Sequence, residues 1–419
     1  MKYSEYPIYK DSGVEWLGNV PEHWGISRLK FLCNITTGGK DTENKVDNGD
    51  YPFYVRSQTV ERINSYSFNG EAILTAGDGV GVGKVFHYTS GKFDFHQRVY
   101  MFYRFKRVVG QFLFEYIKNN FYKVALAGEA KSTVDSLRLP LIQNFTITVP
   151  SIQEQQAIAN YLDKATAKID SLIAKQTRLI ELLKVKRQAV ISIAVTRGLD
   201  STVAMKDSGV EWLGEIPEHW DVNAIRRDLI EHKQGFYTTE PYIDYGVKLL
   251  RITDIKSSGH INYDKCPRVV MNPEDKHFLL KNGDFVFART GGAGSFGCVT
   301  NLIEDVLFAS YLIRFRFNSN LKKDFLKYYF LSMSFINSIE SSIHGGVNKN
   351  IHAEDIKDSF IPKPSLSEQE VIVNYLDERT KKIDNLISKS AQGIDLLKEK
   401  RTALISSAVT GKIDVRNAL

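Results

Sequence analysis

The sequence predicts a mixed α/β protein. It reads as two α+β variable domains separated by two long helices that form an antiparallel coiled coil, with a pseudo-two-fold internal repeat. Three observations predict this. Lys10–Trp24 (KDSGVEWLGNVPEHW) and Lys206–Trp220 (KDSGVEWLGEIPEHW) differ at two of fifteen positions. Pro150–Asp200 and Pro364–Asp414 are identical at 29 of 51 positions. Within that longer repeat the apolar residues advance in steps of four and three, the signature of a helical seam.

The parts follow in order. Residues 1–149 form the first variable domain, opened by the lead-in segment 10–24, and residues 150–200 the first long helix. Residues 201–363 form the second variable domain, with lead-in 206–220, and residues 364–419 the second helix. Ser151 with Glu154, and Ser367 with Glu370, fit helix-start capping boxes, while Gly198 and Gly411 follow the last turns as stops. At 1.5 Å per residue, a helix of roughly 40–45 residues is about 60–67 Å long. A heptad seam is expected at Ile158, Leu162, Ile169, Leu172, Leu179 and Leu183. Its second copy is expected at Ile372, Leu376, Ile383, Leu386, Leu397 and Leu404. The variable regions, 25–149 and 221–363, share little identity but keep a skeleton. FYVRSQTV (Phe53–Val60) parallels KLLRITDI (Lys248–Ile255), and Asn69–Val85 parallels Asn282–Val299. The aromatic strand Phe93–Phe105 parallels Leu307–Phe317. A nearly fixed frame with diverged inserts fits one scaffold presenting two different recognition surfaces.

Composition narrows the class. With 25% charged and 43% hydrophobic residues, the chain reads as an ordinary globular protein. Its apolar runs are far shorter than the roughly 20 residues of a membrane span. The start, Met1–Lys10, has no apolar core of a signal peptide, so a cytoplasmic location is expected. Cys33, Cys266 and Cys298 lie far apart, which supports neither a disulfide framework nor a zinc ribbon. The net charge of +6 permits an anionic partner without demanding one.

The sequence carries no recognisable catalytic or cofactor-binding motif. Gly292–Gly297 matches GxGxxG after a strand-like stretch, but CVTNLIEDVLFA follows where a dinucleotide site needs a helix. Neither glycine loop is a P-loop. Asn272-Pro273-Glu274-Asp275 lacks the second proline and the aromatic of an amino-methyltransferase motif. No HExxH or GxSxG occurs. Pro21–Trp24 and Pro217–Trp220 place a His beside a Glu, but between Pro and Trp they read as packed turns that dock each lead-in segment. No metal site and no catalytic residue is assigned.

The duplicated GVEWLGxxPEHW segments, the two helix starts P-S-x-x-EQ-x-x-I-x-NYLD and the helix ends K-R-x-A-x-I-S-x-AVT resemble the specificity subunit of type I restriction–modification systems. The resemblance covers essentially the whole chain. It implies a non-catalytic subunit whose variable regions are target recognition domains, each reading one half of an asymmetric bipartite site in double-stranded DNA. It implies helices that set the half-site spacing and dock two modification (methyltransferase) subunits. Two restriction subunits, ATP-dependent translocases and nucleases, then join the assembly. S-adenosylmethionine, ATP and Mg2+ are expected on those partners and none on this chain. By family-like position, DNA contacts are expected at Arg56, Ser57, Gln58 and Arg62, at Lys84, and at Lys131, Ser132 and Thr133 in the first domain. In the second they are expected at Arg251, Thr253 and Asp254, at Arg289, Thr290 and Ser295, and at His344, Asn348, Lys349 and Asn350. The first domain carries 16 Lys+Arg against 11 Asp+Glu and the second 19 against 17, so phosphate binding is expected in patches. The alternatives are a coiled-coil adaptor that binds only proteins, or a self-contained DNA-modifying enzyme.

Overall fold

A computed structural model describes residues 4–125, 137–292, 294–340, 350–416 and 418. The chain forms two compact units, one of residues 1–177 with 392–419 and the other of residues 178–391. Each unit holds one variable domain and one portion of each long helix.

The helices span Ile152–Arg197 and Leu366–Val409, 46 and 44 residues. The first start is capped as expected, with the Glu154 N–H donating to Ser151 Oγ at 3.2 Å. The second cap is Ser365, which accepts from the Glu368 N–H at 3.3 Å, and not Ser367. Ser365 is the repeat equivalent of Ser151, whereas Ser367 already lies within the helix.

The seam differs from a heptad. Ile158, Leu162, Ile169, Leu183, Ile372, Leu376, Ile383 and Leu404 are buried, and Leu397 is half-buried. Leu172, Leu179 and Leu386 are exposed. The inward positions beside them are Ile173, Ile180 and Ile387, all half-buried. Isoleucine recurs at 158, 169, 180 and 191, and again at 372, 383, 394 and 405. Eleven residues in three turns is about 3.67 per turn, close to an unstrained α-helix. A 3.5-residue seam therefore slips by one position after Ile169, which carries Leu172 and Leu179 about 100° round to solvent while Leu183 stays buried.

In the first unit Asp170 meets Arg401 at 3.0 Å, and in the second Arg187 meets Asp384 at 2.9 Å. The aspartates are equivalent positions of the two repeats, as are the arginines, so one ion pair is made twice with its partners exchanged. Such part-exposed pairs contribute at most about 1 kcal/mol, and their effect is on register.

Each lead-in segment joins a helix start to a helix end. In the first unit His23 Nε2 lies 3.2 Å from Glu154 Oε2 at the start of the first helix. Trp24 is fully buried, and a Cβ on Gly411, past the end of the second helix, would lie 3.0 Å from its ring and 2.4 Å from Pro21. In the second unit His219 meets Glu368 at 3.2 Å and buried Trp220 packs on Gly198. Both glycines have φ near +75°, which stops the helix and leaves room for the indole. The Pro-Glu-His-Trp turns are docking elements, as their flanking residues imply.

The variable domains are built alike. Each opens and closes in one antiparallel ribbon, Gly25–Arg28 with Thr146–Val149 and Asp221–Ala224 with Phe360–Lys363. Next come four-stranded sheets in which Val99–Tyr103 pairs with Asn34–Thr37 and Ala72–Ala76, and Leu312–Phe317 with Leu229–Gln234 and Phe285–Ala288. Tyr51–Tyr54 runs parallel to Lys92–Phe95, and Val247–Leu250 parallel to Val306–Phe308, so the shared sequence blocks are shared strands.

A buried glutamine ties each domain to its helix. Gln155 donates to the carbonyls of Pro150 (2.9 Å) and Arg107 (3.1 Å) and accepts from the Val109 N–H (2.7 Å), capping the helix Gly110–Asn120. Gln369 does the same with Pro364, Asn320 and Lys322. Gln155→Ala is expected to destabilise the first unit by about 2–3 kcal/mol, since it orphans buried backbone groups. Hydrogen exchange should rise in Gly110–Asn120 and at the start of the first helix, and Gln369→Ala should move that effect to the second unit.

Candidate nucleic-acid interface

In the first domain three segments converge. The strand Tyr51–Tyr54 delivers Arg56, the strand Ala72–Ala76 runs into the glycine loop, and a turn before Val99 presents Arg98. Arg56 Nη1 lies 2.9 Å from Asp78 Oδ1, and Arg98 Nη1 lies 2.5 Å from Asp78 Oδ2. Burial alone would raise the Asp78 carboxyl, but the bonds from Arg98 and Arg56 outweigh it and hold it below the usual range. Gly81 is required here, because a Cβ would lie 2.5 Å from the Arg56 carbonyl. Both guanidinium groups stay partly exposed, and Lys84, which follows the glycine loop, is exposed. Ser57 and Gln58 are exposed, with the Ser57 hydroxyl turned to the Thr59 carbonyl at 3.0 Å. Arg62 instead braces the turn at Gly49 and Asp50 through their carbonyls, at 2.8 and 3.0 Å. Arg98 was missed by sequence reasoning, since its spacing carries no signal and only its fold neighbour Asp78 reveals it. Lys131, Ser132 and Thr133 lie outside the described residues.

In the second domain the equivalent arginine has a different partner. Arg251 makes a bidentate pair with Asp254, at 3.1 and 3.0 Å, within its own short turn. Asp254 is buried and also accepts from the Arg251 N–H at 3.0 Å, so its role is internal and it presents no carboxylate to solvent. Thr253 between them is exposed. The Arg289 backbone bonds Tyr311 and Ile351, at 2.8 and 2.9 Å. Its side chain lines a hollow of about 410 Å³ with His232, Gln234 and His352. Thr290 bridges Asn350, and exposed Ser295 closes a hairpin through its carbonyl to the Ala288 N–H at 2.7 Å. The GxGxxG stretch is thus the turn between antiparallel strands Phe285–Ala288 and Phe296–Cys298, with no helix for a pyrophosphate. His344, Asn348 and Lys349 lie outside the described residues.

Exposed guanidinium, ammonium, hydroxyl and amide groups on loops held by a sheet suit base edges and phosphates. Among the described residues no group of His, Cys, Asp and Glu could hold a metal ion, and no helix is long and apolar enough to cross a membrane. Arg251→Ala is expected to destabilise the second unit by about 3–5 kcal/mol, because it strands a buried carboxylate. Thr253→Ala should stay within about 0.5 kcal/mol. Denaturant melts of the two variants separate a structural arginine from an exposed threonine.

Comparisons with known proteins agree with this architecture. The family model described as the type I restriction modification DNA specificity domain matches residues 21–182 and again 241–394. The MjaVIII type I restriction enzyme specificity subunit of Methanocaldococcus jannaschii is 27% identical over 95% of both chains. The EcoDI specificity subunit of Escherichia coli is 23% identical, over 89% of this chain and 86% of that protein. In fold, a chain from a structure concerned with complex assembly of a type I system matches with a TM-score of 0.72 at 16% identity, covering 93% of this chain and 98% of that one. The HsdS subunit of Thermoanaerobacter tengcongensis matches with a TM-score of 0.55 at 17% identity, covering 94% and 98%. With its specificity domain matched twice, once over each variable region, the chain belongs to the type I restriction–modification DNA specificity family.

Proposed function

We propose that this chain is the non-catalytic DNA-specificity subunit of a type I restriction–modification assembly, reading an asymmetric bipartite site with one variable domain per half. The observation that carries this is the double match of the specificity domain over two inserts that share a frame but not their exposed loops. Two identical readers would suit a palindrome, whereas diverged readers suit unlike half-sites. In this reading the two long helices act as one antiparallel coiled coil that sets the distance between half-sites. Leu182 and Leu396, equivalent residues of the two repeats, are 51% and 65% exposed, which suits docking of one modification subunit on each copy. The methyl donor S-adenosylmethionine, and ATP with Mg2+, would be used by two modification and two restriction subunits.

Exchanging residues 25–149 for another such domain should change one half-site and keep the other, read by mapping adenine methylation in cells that carry the partner subunits. A change in both halves, or in neither, would refute modular reading. Lengthening both helices by one eleven-residue period keeps the packed face and adds about 16 Å, or up to about five base pairs of B-DNA. The same mapping should report a longer spacer with unchanged half-sites, and an unaltered spacer would mean that the helices are not the ruler.

A further inference from the structure

The loop that leaves the first strand of each four-stranded sheet was not among the expected contacts, and the two domains differ there in chemistry. Both loops depart from the same place. A Cβ on Gly38 would lie 2.0 Å from the Phe95 carbonyl, and one on Gly235 would lie 2.1 Å from that of Ala309. Beyond this shared pivot the first loop is charged and tied down, with Asp41 accepting from Gln97 Nε2 of the opposite turn at 2.6 Å and from the Thr42 N–H at 2.6 Å. The second is aromatic and open. Tyr237 and Tyr242, together with Tyr311 from the opposite turn, are 72%, 57% and 60% exposed around a hollow of about 570 Å³.

Arg251 and Thr253 line the same hollow, and the Arg251 guanidinium lies 5.8 Å from the Tyr242 ring centre. The hollow is therefore continuous with the candidate DNA-reading segment, and the Arg251–Asp254 ion pair stands at its edge. Three large rings exposed around one hollow form the kind of clustered apolar patch that is often functional. In duplex DNA the apolar group offered in the major groove is the C5-methyl of thymine.

We propose that Tyr237, Tyr242 and Tyr311 form a specificity-determining pocket that receives a thymine methyl in the second half-site, with the Arg251–Asp254 pair bracing its edge. The inference rests on the DNA-specificity reading and goes beyond it by assigning a base to a pocket.

The test uses the chain assembled with its modification subunits and the target obtained from methylation mapping, with the half-sites assigned by the domain exchange above. Each thymine is replaced in turn by deoxyuridine, which removes one methyl and no hydrogen-bonding group. At one or more positions of the second half-site the affinity should fall about fourfold, the effect of one buried methyl group. Tyr237→Ala and Tyr311→Ala, both at exposed positions, should bind thymine and deoxyuridine targets equally there while keeping the wild-type response in the first half-site. A second half-site without thymine, no deoxyuridine effect in it, or variants that keep the discrimination would each overturn the proposal. So would variants that fail to assemble, which would make the hollow a protein interface. If the unaltered complex binds without sequence preference, the underlying reading fails and the pocket with it.

Discussion

The structure depends on how each lead-in segment holds a helix start and a helix end at once. One histidine reaches the glutamate in the first turn of one helix, and the neighbouring tryptophan fills the space left where the other helix stops at a left-handed glycine. A fully buried indole removes a large apolar surface from water, and the glycine leaves the ring its place. The nearby glutamine bonds three backbone groups in each copy. His23, Trp24, Glu154 and Gln155 all have identical counterparts in the second copy, His219, Trp220, Glu368 and Gln369, while the stop glycine shifts by one position.

The helices follow from the same economy of constraint. Their isoleucines recur at a period that matches an ordinary α-helix, so the packed face stays on one side over 46 and 44 residues without strong supercoiling. The ion pairs that recur with exchanged partners fix the register, while burial at both helix ends supplies the stability. Leucines rejected from the seam by that period become exposed surface on both copies.

Much of this was legible in the sequence because it is local or repeated. Duplication exposed the frame, capping residues and glycines bounded the helices, and the shared blocks proved to be shared strands. A 3.5-residue reading of a 3.67-residue period drifts within a few turns, so Leu172 and Leu179 fall on the exposed side while Ile158, Leu162 and, further on, Leu183 are buried. Ser367 was mistaken for the cap because it too stands three residues before a glutamate. The interface was less legible, since a loop arginine looks the same whether it faces DNA or a carboxylate. Only tertiary contacts show that Arg62 braces a turn while Arg56 and Arg98 share the Asp78 carboxylate and stay partly exposed. The tyrosine loop had no motif at all, and its neighbours come from distant strands.

The closing ribbons have a consequence for chain entropy. Gly25 pairs with Val149 and Asp221 with Lys363, so each insert begins and ends at adjacent backbone positions of its frame. To the rest of the molecule, an insert is a loop whose ends are already joined. Closure entropy grows only with the logarithm of loop length, so the difference between 125 and 143 residues is about 0.1 kcal/mol. A frame of this kind is nearly indifferent to the size of what it carries. Domains of unequal length can replace one another in it with little thermodynamic penalty, leaving their surfaces to diverge.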